Sequence, residues 1–478
     1  MSKYPVRPAV LLIFLLKLLT LQAFAQPKVS LPDEGMPDFR EVYTGYFSDV
    51  QFYVLVAEDA ESNLVLKAEG PFRISLGCYE GFTDSLLIDA EKGKIEETIY
   101  VRFFPESTGH FEGEIKHISG NNVVASLALS GRGIETSIPD GYYDAATGNG
   151  SELKTRLHSI IRGHNVQSYS SLWEHFYVTD ATFGGYVWDI YSDIPCGDPP
   201  YIYVFGDDQD TGTGGHHNEG EVYNREHSMP RSWFGGAVNP MNTDLFHIFP
   251  VDKFVNAQRD NFPFGEVDDP FWTSLNGGRL GPNTAGDYSG TAFEPVDEYK
   301  GDLARAFFYM ITRYQDLIID WTYNEYGNAM LDHNPYPGYR SWVIDMLAGW
   351  HRDDPVSQKE RLRNQAVYEI QGNRNPFVDH PEMVERIWGD TTLYTSLLQD
   401  ATGRMHIYPN PASDDLVVDL GGEEIIVLEV YNAAGVLIKR REPASPSFTL
   451  NLKGFPQGRY LLVATSKWSV YRENIIKL

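Results

Sequence analysis

Cysteine is almost missing from this sequence: its 478 residues include two, Cys78 and Cys196. Two thiols cannot build a disulfide framework, and they are too few for a cysteine-based zinc site. Basic residues are also scarce, with 39 lysines and arginines against 66 acids and a formal net charge of -27. Such a charge aids solubility but gives no bulk attraction for a polyanion, so any polyanion chemistry must rest on a local site helped by a metal ion. The patterns H-E-x-x-H and H-x-x-E-H, which put two imidazoles on one helical face, do not occur, and a zinc protease thereby loses its usual signature. No apolar run beyond the N-terminus is long enough to span a membrane.

That N-terminal run has a cationic start at Lys3 and Arg7, the stretch "AVLLIFLLKLLTLQAF", and Ala23-Phe24-Ala25 before Gln26. This is the pattern of a secretory signal peptide over residues 1–25 with an A-x-A cleavage site. Lys17 interrupts the run, which leaves no span of about 20 apolar residues. Cleavage removes three cations and no acid, taking the charge from -27 to -30. The mature protein is expected to be exported, without stable membrane insertion.

Residues 27–135 read as all-β. The runs "TIYVRFFP", "FEGEIKHIS" and "VVASLALSG" alternate or are β-branched, and "EGPF" and "SGNN" separate them as turns. An immunoglobulin-like β-sandwich is expected, acting as a spacer or binding module. Helical periodicity begins near residue 140. "SELKTRLHSIIRG" sets Leu153, Leu157, Ile160 and Ile161 on one face and stops at Gly163; "YKGDLARAFFYMITRYQD" sets Leu303, Phe307, Met310, Ile311 and Tyr314 on another. A third helix is expected from Asp354 as cap, through Pro355, to Gly372. The first two are separated by about 130 residues rich in Gly, Asp, Asn and aromatics, a length that points to function.

A linker, 391–404, precedes a second β region over 405–478. Its segments "YPNPASDDL", "VYNAAGVLI" and "FPQGRYLLV", with the terminal "KL", resemble the C-terminal sorting domain of the type IX secretion system of Bacteroidetes. The resemblance implies passage through that machinery, removal of the domain, and release or surface attachment.

The chemistry-bearing stretch is "YNREHSMPRSWF", Tyr223 to Phe234, followed by "TDLFHIFPVDKFVNAQRDNFPFG". The second piece offers a strand ("TDLFHIFPV") and a short helix ("DKFVNAQR"). With the segment ending at His227 the order is strand, loop, strand, helix, which is expected to set His227 opposite Asn256 with Glu226 beside them. A neutral imidazole, with an ordinary pKa near about 6.5, can take the proton of an attacking water. Oxygen donors from Glu226 and Asn256 suit a hard cation such as Mg²⁺, with Ca²⁺ or Mn²⁺ as alternatives. Phosphodiester hydrolysis is the chemistry that this set of groups serves.

Four blocks in order, "YNREHSMPRSWF", "TDLFHIFPVDKFVNAQRDNFPFG", "FEPVDEYKGDLARAFFYM" and "WHRDDPVSQKERLRNQAVYEIQGNRNPFVDHP", make residues 140–390 similar to the bacterial endonuclease I family. That resemblance implies a ββα-metal (His-Me finger) core, His227 as general base, and Glu226 and Asn256 as metal ligands. It also implies an arginine on the scissile or product phosphate, for which Arg231 and Arg259 are the candidates. His247 is expected to support the site, Arg374 either to meet phosphate or to brace a helix end, and His216-His217 to lie in a solvated loop. Some relatives have structural disulfides that two cysteines cannot reproduce, so stability is expected to come from the aromatic core.

The expected fold class is thus multidomain: an N-terminal β-sandwich, a central α+β ββα-metal nuclease domain and a C-terminal β-sandwich sorting domain. The expected activity is metal-dependent cleavage of DNA and RNA with little sequence specificity. The competing readings are a non-catalytic surface binding protein, which intact Glu226, His227 and Asn256 oppose, and an exported metalloprotease.

Overall fold

Nine strands open the chain: β1 Lys28–Ser30, β2 Glu41–Tyr43, β3 Gln51–Glu58, β4 Leu64–Ala68, β5 Phe72–Ser75, β6 Ser85–Ile88, β7 Lys94–Phe103, β8 Gly109–Ser119 and β9 Asn122–Ile134. The computed structural model describes residues 27–32, 35–59, 63–79, 81–90, 93–135, 138–213, 217–321, 324–389, 405–420, 425, 427–432, 437–441, 443, 445–465 and 470–478. The signal peptide, His216 and the linker expected over 391–404 lie outside the described residues. Two compact units emerge, one of Met1–Asp38, Gln51–Arg102 and Phe111–Ser130, the other of Phe39–Val50, Phe103–His110 and Gly131–Leu478.

The first unit holds a sheet in the order β1-β3-β7-β5 and strands of a second in the order β9-β8-β4-β6. Period-two burial of Tyr53, Leu55 and Ala57 on β3, and of Leu64, Leu66 and Ala68 on β4, builds its core. Tyr53 of one sheet meets His117 of the other, Oη to Nε2, at 2.9 Å. Burial keeps that imidazole neutral, lowering its pKa to about 4. The stretches 39–50 and 103–110 were expected to belong here but fall in the second unit. There Asp49 accepts from the backbone N–H of Gln358 and Lys359 at 3.0 and 3.2 Å.

The second unit carries α1 Gly150–Ile161, α2 Leu172–Thr179, β10 Tyr223–His227, β11 Ile248–Asp252, α3 Lys253–Arg259, β12 Trp272–Thr273, β13 Arg279–Pro282 and β14 Thr291–Glu294. After these come α4 Lys300–Arg313, α5 Glu325–Met330, α6 Ser341–Asp353, α7 Gln358–Gln371, α8 Pro376–Asp379 and α9 Glu382–Trp388. The axis of its core is α4, which packs against α1 and α6. The periodicity of α4 predicts one apolar face, yet all of its residues are buried. Its polar side chains are satisfied by partners: Lys300 by Glu294 at 2.7 Å, Arg305 by Glu360 at 2.6 Å, and Arg313 by the His164 ring at 3.1 Å.

The third expected helix begins later than the sequence suggests. Ser357, not Asp354, is the N-cap of α7: its hydroxyl accepts from Glu360 N–H while the Glu360 carboxylate accepts from Ser357 N–H, a reciprocal capping box. Asp354 instead closes α6 and accepts from Gly301 N–H at 2.8 Å. Gly372, left-handed at φ 79°, ends α7 as expected.

β10 and β11 pair antiparallel, from Tyr223 opposite Asp252 to His227 opposite Ile248. Asp252 then caps α3 by accepting from Val255 N–H at 2.7 Å, so strand, strand and helix follow as expected. His247 was expected on the second strand; it ends a 3-10 turn, Leu245–His247, just before it. Among the described residues no cysteine is a free thiol. The C-terminal region is strand-rich, with β15 His406–Tyr408, β16 Asp415–Asp419, β17 Val427–Asn432, β18 Leu437–Arg441, β19 Ser447–Asn451, β20 Gly458–Thr465 and β21 Val470–Lys477. They form sheets β15-β16-β19 and β18-β17-β20-β21 around Leu416, Val418, Leu450, Val430 and Leu462. Among the described residues no helix is long and apolar enough to cross a membrane.

Candidate active site

The pleat of β10 sorts its side chains. Asn224 and Glu226 share the face that meets α3, whereas Arg225 and His227 share the face that meets Tyr169. The structure therefore puts Glu226 on the α3 face, as it does Asn224, the partner of Asn256, but does not set His227 opposite Asn256 as the sequence predicts. Alternation along a strand separates neighbours, and Glu226 and His227 are neighbours.

On the α3 side, Asn256 Nδ2 donates to Asn224 Oδ1 at 2.8 Å and is 3.5 Å from the Arg225 carbonyl. A carbonyl only accepts, so the amide nitrogen must face β10 and the amide oxygen is turned away from it. Glu226 is 2% exposed. Its Oε1 accepts from Tyr191 Oη at 3.0 Å and lies 3.2 Å from an Arg259 guanidinium nitrogen. Burial raises the carboxyl to about 7, with Arg259 and then Tyr191 opposing that rise. Tyr191 is itself anchored, its N–H donating to Asp189 Oδ1 at 2.8 Å while Asp189 Oδ2 accepts from Asp252 N–H at 3.1 Å.

On the other face, the His227 Nε2 lies 3.1 Å from the Asn242 carbonyl. That contact requires Nε2–H and leaves the Nδ1 lone pair as the basic position. Burial, reinforced by the nearby His247 ring and by Arg231 and Arg225, holds the imidazole pKa well below its ordinary value, so the ring is neutral. Tyr169 stacks on it at 6.1 Å and His247 meets it edge-on at 5.4 Å. His247 is pinned in turn, Nε2 to the Met241 carbonyl at 2.7 Å, and burial lowers its pKa to about 4. Its ring packs edge-on against that of His227.

The two arginine candidates separate. Arg259 is 1% exposed and engaged inside the protein: with Glu226, with the His227 carbonyl at 3.2 Å and with the Ser228 carbonyl at 2.5 Å, its guanidinium lying 4.5 Å from the Phe264 ring. It ties α3 to the end of β10 and is not presented to an incoming phosphate. Arg231 is exposed. Arg374 braces a helix end, bonding Asp379 at 2.6 and 2.9 Å, as one of its two expected roles has it. His217 is exposed, and among the described residues no three His, Cys, Asp or Glu side chains cluster to hold a metal.

For a divalent cation, the donors that fit are one carboxylate, Glu226, and the outward amide oxygen of Asn256. Two hard oxygen donors are what Mg²⁺ needs from a protein when water and substrate complete its shell. Tyr191, Tyr169 and Arg225 escaped the sequence reading. Arg225 alone left a signal there, standing two residues before His227 and so on the same strand face.

Residues 149–382 match the Endonuclease I family, and residues 406–478 match the secretion system C-terminal sorting domain. The chain is 35% identical over 290 residues to an extracellular ribonuclease of Bacillus amyloliquefaciens, covering 56% of this chain and 89% of that protein. It is also 35% identical over 270 residues to an extracellular ribonuclease of Bacillus subtilis (strain 168), covering 55% and 83%. An extracellular deoxyribonuclease of Aeromonas hydrophila is 25% identical over 148 residues, covering 30% of this chain and 51% of that protein.

Proposed function

Because the chain belongs to the endonuclease I family, we propose that it is an exported, metal-dependent endonuclease of ββα-metal type that hydrolyses phosphodiester bonds in both DNA and RNA. The observation that carries the reading is the fixed tautomer of His227, whose Nε2–H is held by the Asn242 carbonyl at 3.1 Å. The strand-rich C-terminal region, a sorting domain by its family match, supports export by the type IX machinery. We read the N-terminal strands as an immunoglobulin-like sandwich serving as a spacer.

In this mechanism His227 Nδ1 accepts the proton of a water as its oxygen attacks phosphorus. The new O–P bond forms as the bond to the departing 3′ oxygen breaks, leaving a 5′-phosphate. Glu226 and Asn256 are the residues that would hold Mg²⁺, which when bound would supply positive charge against the charge developing in the reaction. Tyr191 and Arg259 orient the Glu226 carboxylate, and Arg231 steadies the phosphate. The ribose 2′-OH has no part in these steps, so the chemistry does not restrict the enzyme to one sugar.

The test is incubation of purified protein with plasmid DNA and with RNA, with and without EDTA, followed by end-group analysis. Cleavage of both with 5′-phosphate ends, abolished by EDTA and restored by Mg²⁺, is expected. 2′,3′-cyclic ends on RNA would refute water attack, and absence of cleavage in Mg²⁺ would return the chain to the class of binding proteins.

A further inference from the structure

The His227 face of β10 carries, beside Arg231, a second cation, Arg225, that the proposed mechanism does not use. Elsewhere several arginines have carboxylates close by: Arg305 with Glu360 at 2.6 Å, Arg363 with Asp180 at 2.7 Å, Arg374 with Asp379 at 2.6 Å. Arg225 and Arg231 form no ion pair among the described residues, although the chain has far more acids than bases. Both guanidiniums gather at one ring, that of Tyr169, which also stacks on His227. Asp210, whose field reaches Arg225, is itself bonded to Lys253 at 2.9 Å. Two cations on one face with no ion-pair partner among the described residues raise the energy of the free protein, and an anionic ligand lowers it.

Arg225 is also pre-oriented. Its guanidinium carbon lies 3.6 Å from the Tyr169 ring centroid and 4.3 Å from that of Trp173. One nitrogen donates to the Tyr169 carbonyl at 2.7 Å, and among the described residues its remaining donors have no protein acceptor. Arg231 approaches the same Tyr169 ring at 5.8 Å. A planar guanidinium held between two rings loses little freedom when it takes a bidentate phosphate.

We propose that Arg225 and Arg231, set around Tyr169 on the His227 face of β10, form a clamp for one backbone phosphate of the nucleic-acid substrate, with Arg225 the pre-oriented member. This rests on the nuclease reading and adds Arg225 to its machinery as a substrate-binding residue. The clamp grips phosphate and reads no base, in keeping with a site that accepts many sequences.

The experiment measures binding of a fluorescent single-stranded DNA of about 12 nucleotides to full-length His227→Ala protein, which is expected to hold substrate without turning it over. Affinity is followed across roughly 50 to 200 mM salt, because each phosphate contact contributes about one unit to the log–log slope. Adding Arg225→Gln or Arg225→Met, the second keeping an unbranched stem between the rings, is expected to reduce the slope by about one unit. Arg225→Lys is expected to retain it. Arg352→Gln, which removes an exposed charge that pairs with Glu385, should leave it unchanged. An unchanged slope in either folded Arg225 variant, an equal loss in Arg352→Gln, or unfolding of both neutral variants would overturn the clamp. Failure of the His227→Ala protein itself to bind DNA would instead sink the nuclease reading on which the clamp stands.

Discussion

Glu226 and Arg259 form an ion pair of 3.2 Å inside the protein, at 2% and 1% exposure. The pair fixes the end of β10 to α3 and orients the carboxylate that the proposed chemistry needs. Removing one member of such a pair leaves the other charge buried and alone. Arg259→Gln is therefore expected to cost about 3–5 kcal/mol of stability, read from urea unfolding. A cost under about 1 kcal/mol would mean that Glu226 simply takes a proton, which its pKa of about 7 permits.

His227→Ala removes the proton acceptor and none of the proposed metal donors. Turnover is expected to fall by about 10² to 10⁴, with oligonucleotide and Mg²⁺ affinity retained. Near parental cleavage at neutral pH would assign the base elsewhere.

Asn256→Ala and Glu226→Gln each take away one of two protein donors. Calorimetric titration with Mg²⁺ is expected to show weaker binding in both, and excess Mg²⁺ should restore part of the activity. Tyr191→Phe, which leaves both donors in place but frees the carboxylate to turn, should weaken binding less. Unchanged affinity in the first two variants would place the ligands outside this pair.

His351 provides a pH test away from the site. Its Nε2 lies 3.0 Å from the Pro381 carbonyl and its Nδ1 3.4 Å from Arg305, and burial followed by the Arg305 charge lowers its pKa to about 4. Between pH about 6.5 and 4 the unfolded chain then binds the extra proton. This contribution is complete above pH 6.5 and is lost as pH falls through 4, by up to about 3 kcal/mol. His351→Gln, compared with the parent in urea unfolding at pH 7 and pH 4.5, should show a smaller acid loss. An equal loss would show that His351 already titrates normally.

Much of the site was legible in the sequence because its signals are short-range. Asp252 and the "DKFVNAQR" periodicity place α3, and β11 follows from its apolar run, while β10, with the polar sequence YNREH, is placed only by its order before them. Residue types fixed the chemistry on offer, since an imidazole beside a carboxylate, with an amide on a nearby helix, serves few reactions. What the pattern obscured was direction: period-two alternation alone separates Glu226 from His227, yet adjacency in sequence suggested a shared pocket. The start of α7 was misplaced for a similar reason. Asp354 and Ser357 are both good caps, and only the reciprocal bond between Ser357 and Glu360 decides between them.

By itself, then, the sequence determined the C-terminal sorting domain, the order of strand, strand and helix, and Glu226, His227 and Asn256 as the candidates for the site. Only the tertiary structure decided that His227 carries its proton on Nε2, because the Asn242 carbonyl that holds it comes from another segment. It likewise divided the arginines: Arg259 is turned inward by Glu226 and two carbonyls, while Arg231 is left exposed and Arg225 is caught between Tyr169 and Trp173. The physical reason is common to both cases. A side chain's type and its place in a repeat are local properties, but its tautomer, charge partner and accessibility depend on groups that chain closure brings from dozens of residues away.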